Sequence, residues 1–458
     1  MVFSSVLFLC LFLPLVLALY YNPLMSKNRM LRNVILLLMS LLFYGWGEPK
    51  FIVIMIAVTV VTWCIGLLME YLSMYKKFIL WTGIALHVTC LFIFKYLTFT
   101  MNIWNSIWGI NTEILNIALP IGISFFSFQL MSYLFDIYYG NAKAQKNVLN
   151  VLLYISLFPQ LIAGPIVRYQ QIASELEHRS DNYENVCKGL YRFIIGLSKK
   201  VLLANYMAII ADNMFQQNMQ LSVASAWLGA IAYTLQIYFD FSGYSDMAIG
   251  LGKMFGFNFP ENFNFPYVAK SVTDFWRRWH MSLTHWFRDY VYIPLGGNRV
   301  SKARWIRNLL FVWLLTGIWH GANWTFIVWG LLYFCVLLME KLTDFTKYLG
   351  CIGAHIYTMV IVTCAWVVFR SPDLSFAVQY LSIMFGYSSI GVVDEVFLYY
   401  IKSSVYMLVL GIICVTPIVN YSCSKVSLVK SVVVVILFGL SLVQVVSSTY
   451  NPFIYFNF

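Results

Sequence analysis

Long apolar runs separated by short polar connections are the feature that most constrains this chain. Such runs recur along all 458 residues, and a helix of about 20 apolar residues crosses the hydrocarbon core of a bilayer. Hydrophobic residues make up 61% of the chain and charged residues 11%, whereas charged residues form about 25% of ordinary soluble domains. The sequence therefore excludes a soluble enzyme, a disordered chain and a secreted disulfide scaffold. It predicts an all-α polytopic membrane protein.

The positions of the apolar runs predict about 11 to 13 membrane helices or re-entrant elements in a single transmembrane domain over residues 1–458. The N-terminal run lacks the basic start and the cleavage site of a signal peptide, so we expect it to remain as the first membrane helix. The shorter apolar pieces near 243–300 and 375–388 are expected to be re-entrant or interfacial. The predicted spans lie near 1–20, 31–47, 51–72, 78–98, 114–138, 147–163, 188–211, 222–242, 307–339, 352–369, 400–420 and 428–448.

The basic residues predict the orientation in the cell membrane, because cytoplasmic loops carry an excess of Lys and Arg. Every second loop near the N-terminus is basic, which places the N-terminus outside. The last span follows Lys425 and Lys430, so the C-terminal tail is also expected outside. The net charge of +11 is spread over these loops, which favours contact with membrane lipids and not with nucleic acid. The loop residues are Lys27, Arg29, Arg32, Lys76, Lys77, Lys143 and Lys146.

The cysteines and histidines lack metal-ligand spacing. The nine cysteines are scattered and form no CxxC pair, and the histidines have no carboxylate or thiolate companions at ligand spacing. We therefore expect neither a metal site nor a disulfide framework.

Polar residues are concentrated in two regions that lie between the predicted spans or within them. The first, residues 233–246, carries Asp240 and Asp246 and leads into residues 260–266. Two prolines and two asparagines in that second piece predict an irregular backbone, which a membrane tolerates only where protein or water surrounds it.

The second polar region is residues 274–289. As one helix it would place Arg277, His280 and Thr284 on one side. An amphipathic helix on the cytoplasmic surface, with its tryptophans as an aromatic belt at the interface, fits the spacing equally well. The tryptophans of that belt would be Trp276, Trp279 and Trp286.

His320 is the sharpest functional candidate, because it lies inside the apolar run 307–339. An ionisable group at membrane depth is costly and often functional, and we expect Gly317 and Gly321 to leave space for a substrate beside the ring. A neutral imidazole can act as a general base. The sequence contains no GxSxG, phosphate-loop or HExxH pattern. Histidine-assisted acyl transfer and proton-coupled transport both fit these residues.

Several motifs together resemble the membrane-bound O-acyltransferase superfamily, and within it the alginate and peptidoglycan O-acetyltransferase-like branch. The resemblance covers nearly the whole chain, with a motif core over about 115–345. The motifs are FYGWGEP at 43–49, FPQLIAGPIVR at 158–168, YFDFSGYSDMAIG at 238–250, DFWRRWH at 274–280, YIPLGGNR at 292–299 and GIWHGAN at 317–323.

The resemblance implies a horseshoe of helices in which a cytoplasmic funnel meets an outer cavity through a narrow tunnel. It makes His320 the expected catalytic histidine and His280 its motif partner. It also implies acetyl-CoA as the acetyl-donor substrate, with no resident cofactor, and Arg binds the phosphates of CoA well. The implied funnel-lining residues are Arg168, Asp274, Arg277, Arg278 and Asn298.

The last six residues, FIYFNF at 453–458, match a hexapeptide F-x-Y-x-x-F that ends related acylation systems. The resemblance implies that Tyr455 carries the acyl group as an ester to an extracytoplasmic serine (SGNH-type) transferase acting on a cell-surface polysaccharide or peptidoglycan. The alternative role for this aromatic segment is an interfacial anchor. For the whole chain, the alternatives are a D-alanyl transferase of teichoic acid modification and a polysaccharide or proton-coupled transporter.

Overall fold

The structure is a computed structural model that describes residues 1–23, 28–110, 112, 117–216, 220–419, 428–448 and 450–452. Across these residues the chain is helical and contains no strand, which confirms the all-α class. Eight helical segments of this described part are long and apolar enough to cross a membrane, so the chain is a multi-pass membrane protein. They are Arg29–Gly47, Phe51–Tyr71, Ser73–Trp108, Tyr183–Met214, Trp324–Thr343, Gly350–Arg370, Glu395–Cys414 and Val429–Ser447.

The α-helices range in length from 4 residues to 32 residues. In chain order they are α1 (Leu13–Tyr20), α2 (Arg29–Gly47), α3 (Phe51–Tyr71), α4 (Lys76–Leu91), α5 (Leu97–Trp108), α6 (Ile123–Tyr139), α7 (Val148–Ser156), α8 (Phe158–Leu161), α9 (Tyr169–Glu177), α10 (Tyr183–Ser198), α11 (Asn205–Met214), α12 (Val223–Met254), α13 (Val272–Arg278), α14 (Met281–Phe287), α15 (Lys302–His320), α16 (Trp324–Thr343), α17 (Gly350–Arg370), α18 (Leu374–Met384), α19 (Glu395–Cys414) and α20 (Leu428–Ser447). Segments of π-helix occupy Phe8–Phe12, Phe92–Tyr96, Lys199–Ala204 and Arg288–Tyr292, and 3₁₀-helices occupy Ser73–Tyr75, Pro266–Val268 and Phe345–Tyr348.

The chain divides into two compact units. The first comprises residues 1–194 and 245–260, and the second comprises residues 195–244 and 261–458. Within the first unit, α6 packs against α3 and α4 and is buried along nearly its whole length. A buried ionic cluster also lies there: Asp181 pairs with Arg29 (2.9 Å) and with Arg32, and the Tyr20 hydroxyl donates to the same carboxylate.

The core of the second unit is aromatic. Trp276 lies edge-on to Trp313, with centroids 4.8 Å apart, and to Tyr333 at 4.9 Å. The tryptophans proposed for an interfacial belt, Trp276, Trp279 and Trp286, are only 7%, 3% and 4% exposed. The belt expectation is therefore wrong, because these indoles bury their large apolar faces in the protein core instead.

The run 307–339, predicted as one span, forms two antiparallel helices, α15 and α16. Asn323 ends the connection, and its side-chain oxygen accepts from the backbone N–H of Thr325 (3.2 Å), which caps α16. A Cβ on Gly317 would lie 2.4 Å from the carbonyl oxygen of Phe326, and the Cα of Gly330 lies at 3.4 Å from that position. Close backbone approach at small residues is typical of packing between membrane helices.

The segment around residues 243–266 partly follows the prediction. Residues 260–265 are irregular, as the prolines and asparagines predicted. Residues 243–254, however, are not a separate re-entrant piece, because α12 continues through them to Met254.

Candidate active site

His280 lies at a break in the backbone of the second unit. Its φ angle of 44° places it in the left-handed region, between α13 and α14. A single helix over residues 274–289 was therefore the wrong prediction. A non-glycine residue in this conformation is costly and persists where the surrounding structure holds it.

Asn262, from the irregular segment before α13, holds the imidazole of His280. Its Oδ1 accepts from the backbone N–H of Ser282 (3.2 Å) and from the Ser282 hydroxyl (2.9 Å), and it lies 3.1 Å from Nδ1 of His280. A backbone N–H can only donate, so the atom it contacts must be the amide oxygen. The His280 nitrogen facing that oxygen is therefore the protonated one, and Nε2 carries the lone pair.

The ring of His280 is buried and neutral. Burial lowers its pKa to about 3, and the ring of Phe241 lies edge-on to it with centroids 4.6 Å apart. Within the described ranges Nε2 has no hydrogen-bond partner. The arrangement thus presents a buried, unprotonated imidazole nitrogen that can accept a proton or a hydrogen bond.

His320 lies at the C-terminal end of α15, not in the middle of a span, and is 6% exposed. Aromatic rings enclose it: Trp319, Trp329 and Phe369 each lie with centroids 5.0 Å from the imidazole. The ring of Trp319 also lies 5.9 Å from that of His280. The structure therefore brings His280 and His320 to the same indole.

The two glycines beside His320 do not open a substrate space. Gly317 lies against the backbone of α16, and a Cβ on Gly321 would lie 2.3 Å from the ring of Phe326. That expectation is wrong, because both glycines allow close packing around the histidine instead.

Glu340 of α16 fixes the start of α13. Its two carboxylate oxygens accept from the backbone N–H groups of Val272 (2.7 Å) and Thr273 (2.9 Å), and from the Thr273 hydroxyl. A carboxylate at a helix N-terminus satisfies unpaired N–H groups and the helix dipole. The contact fixes α13 and hence the backbone that leads to His280.

The residues predicted to line a funnel are distributed unevenly. Asp274 and Arg278 form an i,i+4 ion pair of 3.0 Å on α13, and Arg277 of the same helix is exposed. Asn298 is exposed in the turn after residue 292. Arg168 lies in the first unit at the start of α9. Tyr455 lies outside the described residues.

Sequence reasoning missed Asn262, Glu340 and the pairing of Lys200 with Asp240. The asparagine stands in a stretch recognised only as irregular, and no spacing rule joins it to a histidine 18 residues later. Two signals were available in the sequence, the acidic Glu340 near the end of one apolar helix and Lys200 in another. Charges at membrane depth usually have a partner, so both residues could have been expected to pair.

Comparison with known proteins gives a consistent family assignment. The model of the membrane-bound O-acyltransferase family (MBOAT) matches residues 41–386. A protein of Azotobacter vinelandii named "Probable alginate O-acetylase" is 42% identical over 84% of this chain and 78% of its own. A peptidoglycan O-acetyltransferase of Helicobacter pylori is 34% identical over 100% of this chain and 98% of its own. A teichoic acid D-alanyltransferase of Bacillus subtilis is 32% identical over 49% of this chain and 59% of its own.

Proposed function

The chain belongs to the membrane-bound O-acyltransferase family, and we propose that it transfers acetyl groups from cytoplasmic acetyl-CoA, through an ester on Tyr455, to an extracytoplasmic acetyltransferase. The chain is a membrane O-acetyltransferase. The donor, the tyrosine carrier, the orientation and the partner are the proposed parts. The final acceptor in this proposal is a cell-surface polysaccharide or peptidoglycan, in keeping with the names of the two relatives that cover most of the chain.

The observation that carries the proposal is the pair of buried imidazoles at Trp319. His320 sits among aromatic rings, and His280 is held neutral with one nitrogen available as an acceptor. A phenol has a pKa of about 10, so it needs a base to attack a thioester at neutral pH. An unprotonated imidazole is a base of this kind.

The proposed transfer is a single acyl exchange. The Tyr455 oxygen attacks the thioester carbonyl carbon while His320 accepts the phenolic proton. The new C–O ester bond forms, the C–S bond breaks, and the proton passes to the leaving thiolate to give CoA. Asn262 holds His280 so that Nε2 can accept a proton or a hydrogen bond. The positively charged Arg residues of α13 would bind the CoA phosphates.

The acetyl donor is favoured over a D-alanyl donor by the extent of the similarity. The acetyl-transferring relatives align over 84% and 100% of this chain, whereas the D-alanyl-transferring relative aligns over 49%. Membership of an acyltransferase family likewise favours thioester chemistry over the solute transport considered above.

The test is mass spectrometry of the full-length protein in detergent after incubation with acetyl-CoA. Wild type, His320→Ala and Tyr455→Phe are compared, with His178→Ala as a matched control because this exposed histidine has no part in the site. We expect CoA release and an acetyl ester on Tyr455 in wild type and in the control, and no ester in the other two. His320→Ala protein that forms the ester at the wild-type rate would refute the mechanism.

If wild type releases CoA without modifying Tyr455, transfer goes directly to another acceptor and the tyrosine step is wrong. Parallel incubation with a D-alanyl carrier protein tests the other donor. An ester formed from that donor and not from acetyl-CoA would replace the acetyl assignment.

A further inference from the structure

The described end of the C-terminal tail is bound, residue by residue, to polar side chains of the second unit. The Tyr450 hydroxyl donates to Asp212, the amide of Asn205 donates to the Asn451 side chain (3.5 Å), and the ammonium of Lys200 donates to the carbonyl oxygen of Pro452. Three consecutive tail residues thus contact three side chains of one continuous helical segment. The order is antiparallel, since the chain passes from Asp212 towards Lys200.

The contact ends at Lys200, whose charged side chain is buried, and burying a charge costs free energy. Its side chain is 3% exposed and pairs with Asp240, 2% exposed, at 2.8 Å, and it also donates to Asn205 (2.9 Å). Buried ion pairs contribute little net stability compared with apolar residues of similar volume, and ionisable groups within membrane helices usually have a functional role. Here the ammonium group binds the backbone of the tail.

The backbone around Lys200 is adapted to this arrangement. Residues Lys199–Ala204 form a π-helical segment, a distortion frequently found at functional sites. On α12, a Cβ on Gly243 would lie 2.7 Å from the carbonyl oxygen of Gly196 and 3.1 Å from the backbone nitrogen of Lys200. The missing side chain lets α12 approach closely enough for Asp240 to reach the lysine.

The docking of the tail and the candidate active site share helix α12. Asp240, which holds Lys200, is followed on α12 by Phe241, whose ring contacts His280 with centroids 4.6 Å apart. In the sequence, Tyr455 follows Pro452 by three residues. Asp240, the partner of the lysine that binds the tail, is thus adjacent in sequence to the residue whose ring contacts His280.

The geometry points to Asp212, Asn205 and the Lys200–Asp240 pair as a docking strip that positions the C-terminal hexapeptide for acyl transfer. The inference deepens the proposed function and rests on it for the role of Tyr455. The strip acts on position and not on chemistry: the hexapeptide is already tethered covalently, and the strip fixes the point from which it starts. Tethering over a short distance gives an effective concentration of about millimolar or more, and correct orientation adds to this gain.

The first test separates docking from activity. A full-length Asn205→Cys/Asn451→Cys protein should form a disulfide under mild oxidation, detected by peptide mass spectrometry, since these side chains lie 3.5 Å apart. The matched control is Asn213→Cys/Asn451→Cys, because Asn213 is an exposed residue of the same helix α11 whose side-chain amide donates to the carbonyl oxygen of Ile209. Equal cross-linking of both pairs, or none at Asn205, would overturn docking whatever the activity.

The second test measures positioning. The tail-side variant Tyr450→Phe/Asn451→Ala leaves the membrane helices unchanged, and the helix-side variant Lys200→Met/Asp240→Leu removes both buried charges together. In each we expect the rate of Tyr455 acetylation to fall at least about tenfold, while acetylation of a free FIYFNF peptide added in trans stays at the wild-type rate. Lys347→Met, which removes an exposed ion-paired lysine, is the control.

The outcomes are distinct. A loss confined to Tyr455 supports the docking strip, whereas unchanged Tyr455 acetylation, or an equal loss on the free peptide, overturns it. If wild type forms no tyrosine ester at all, the tyrosine step of the proposed function is wrong, and the cross-linking test alone decides whether the strip binds the tail.

Discussion

Replacing Asn262 with Ala tests whether the candidate active site depends on the tautomer of His280. The substitution removes the oxygen that accepts from the backbone N–H of Ser282 (3.2 Å) and from Nδ1 of His280 (3.1 Å). Each buried donor left without an acceptor costs about 1–3 kcal/mol, so the two together predict a loss of about 2–6 kcal/mol in the free energy of unfolding. The Ser282 hydroxyl can rotate to another acceptor and adds little.

The expected effect on catalysis is separate from this loss of stability. Without Asn262, the proton can occupy either ring nitrogen of His280 and the ring can turn. We expect kcat for CoA release to fall only about 10- to 100-fold, because His320, the proposed base, is unchanged and the ring of His280 remains. CoA release would be measured by chromatography on detergent-purified protein, with thermal unfolding of the same samples to report stability.

Asn262→Asp is the conservative counterpart, because a carboxylate oxygen can accept the same hydrogen bonds. We expect this variant to regain most of the kcat lost in Asn262→Ala, even though a buried charge lowers its stability. The reasoning fails if Asn262→Ala unfolds at a lower temperature yet keeps the wild-type kcat, since Asn262 would then serve folding alone. It also fails if the Asp variant is as inactive as the Ala variant.

Three further changes follow from the same contacts. Gly317→Val should lower both the unfolding temperature and the rate of CoA release, because its Cβ would lie 2.4 Å from the carbonyl oxygen of Phe326. Overpacking of this kind costs about 1–3 kcal/mol, and an unchanged melting curve would contradict the close packing. Glu340→Gln should lower the free energy of unfolding by about 1–3 kcal/mol, since its amide nitrogen cannot accept from an N–H group. A variant as stable as wild type in thermal unfolding would show that Glu340 does not stabilise the start of α13. Partial burial opposes ionisation of Asp394, but hydrogen bonds from Ser225 and from backbone N–H groups outweigh it and lower its pKa. Asp394→Asn should therefore be less stable than wild type above about pH 4, with the difference vanishing as pH falls through the lowered pKa; a pH-independent difference would exclude the charge as its cause.

The membrane class and most span positions could be predicted because crossing a bilayer demands about 20 apolar residues in succession, whatever the fold. Hydropathy cannot locate a tight turn within an apolar run, so α15 and α16 were predicted as one span. Asn323 was a usable signal, because asparagine before an apolar segment is a frequent N-cap. The buried position of Trp276 was not predictable from composition, since tryptophans in a protein core and in an interfacial belt look alike in sequence.

The candidate site could be predicted as residues but not as geometry. His280 and His320 both belong to recognisable motifs, yet their shared contact with Trp319 depends on a left-handed residue at 280 and on the end of α15. Neither feature follows from helical spacing, which instead predicted one continuous helix over residues 274–289. Long-range contacts such as that of Asn262 with His280 are fixed only by the complete fold.

The buried polar groups of the second unit follow one physical rule, and it applies both to the docking strip and to the candidate site. An unpaired charge in a low-dielectric interior costs several kcal/mol. Each buried charge of the second unit described above therefore has a partner: Lys200 pairs with Asp240, and Glu340 accepts from the N–H groups of α13. His280 solves the same problem differently, by staying neutral and donating its one proton to Asn262. The imidazole nitrogen left as an acceptor is then the group of this set that can take a proton without breaking an ion pair. In the proposed mechanism such a site supplies the acid–base groups, while the ion pairs around it hold the helices and the tail in place.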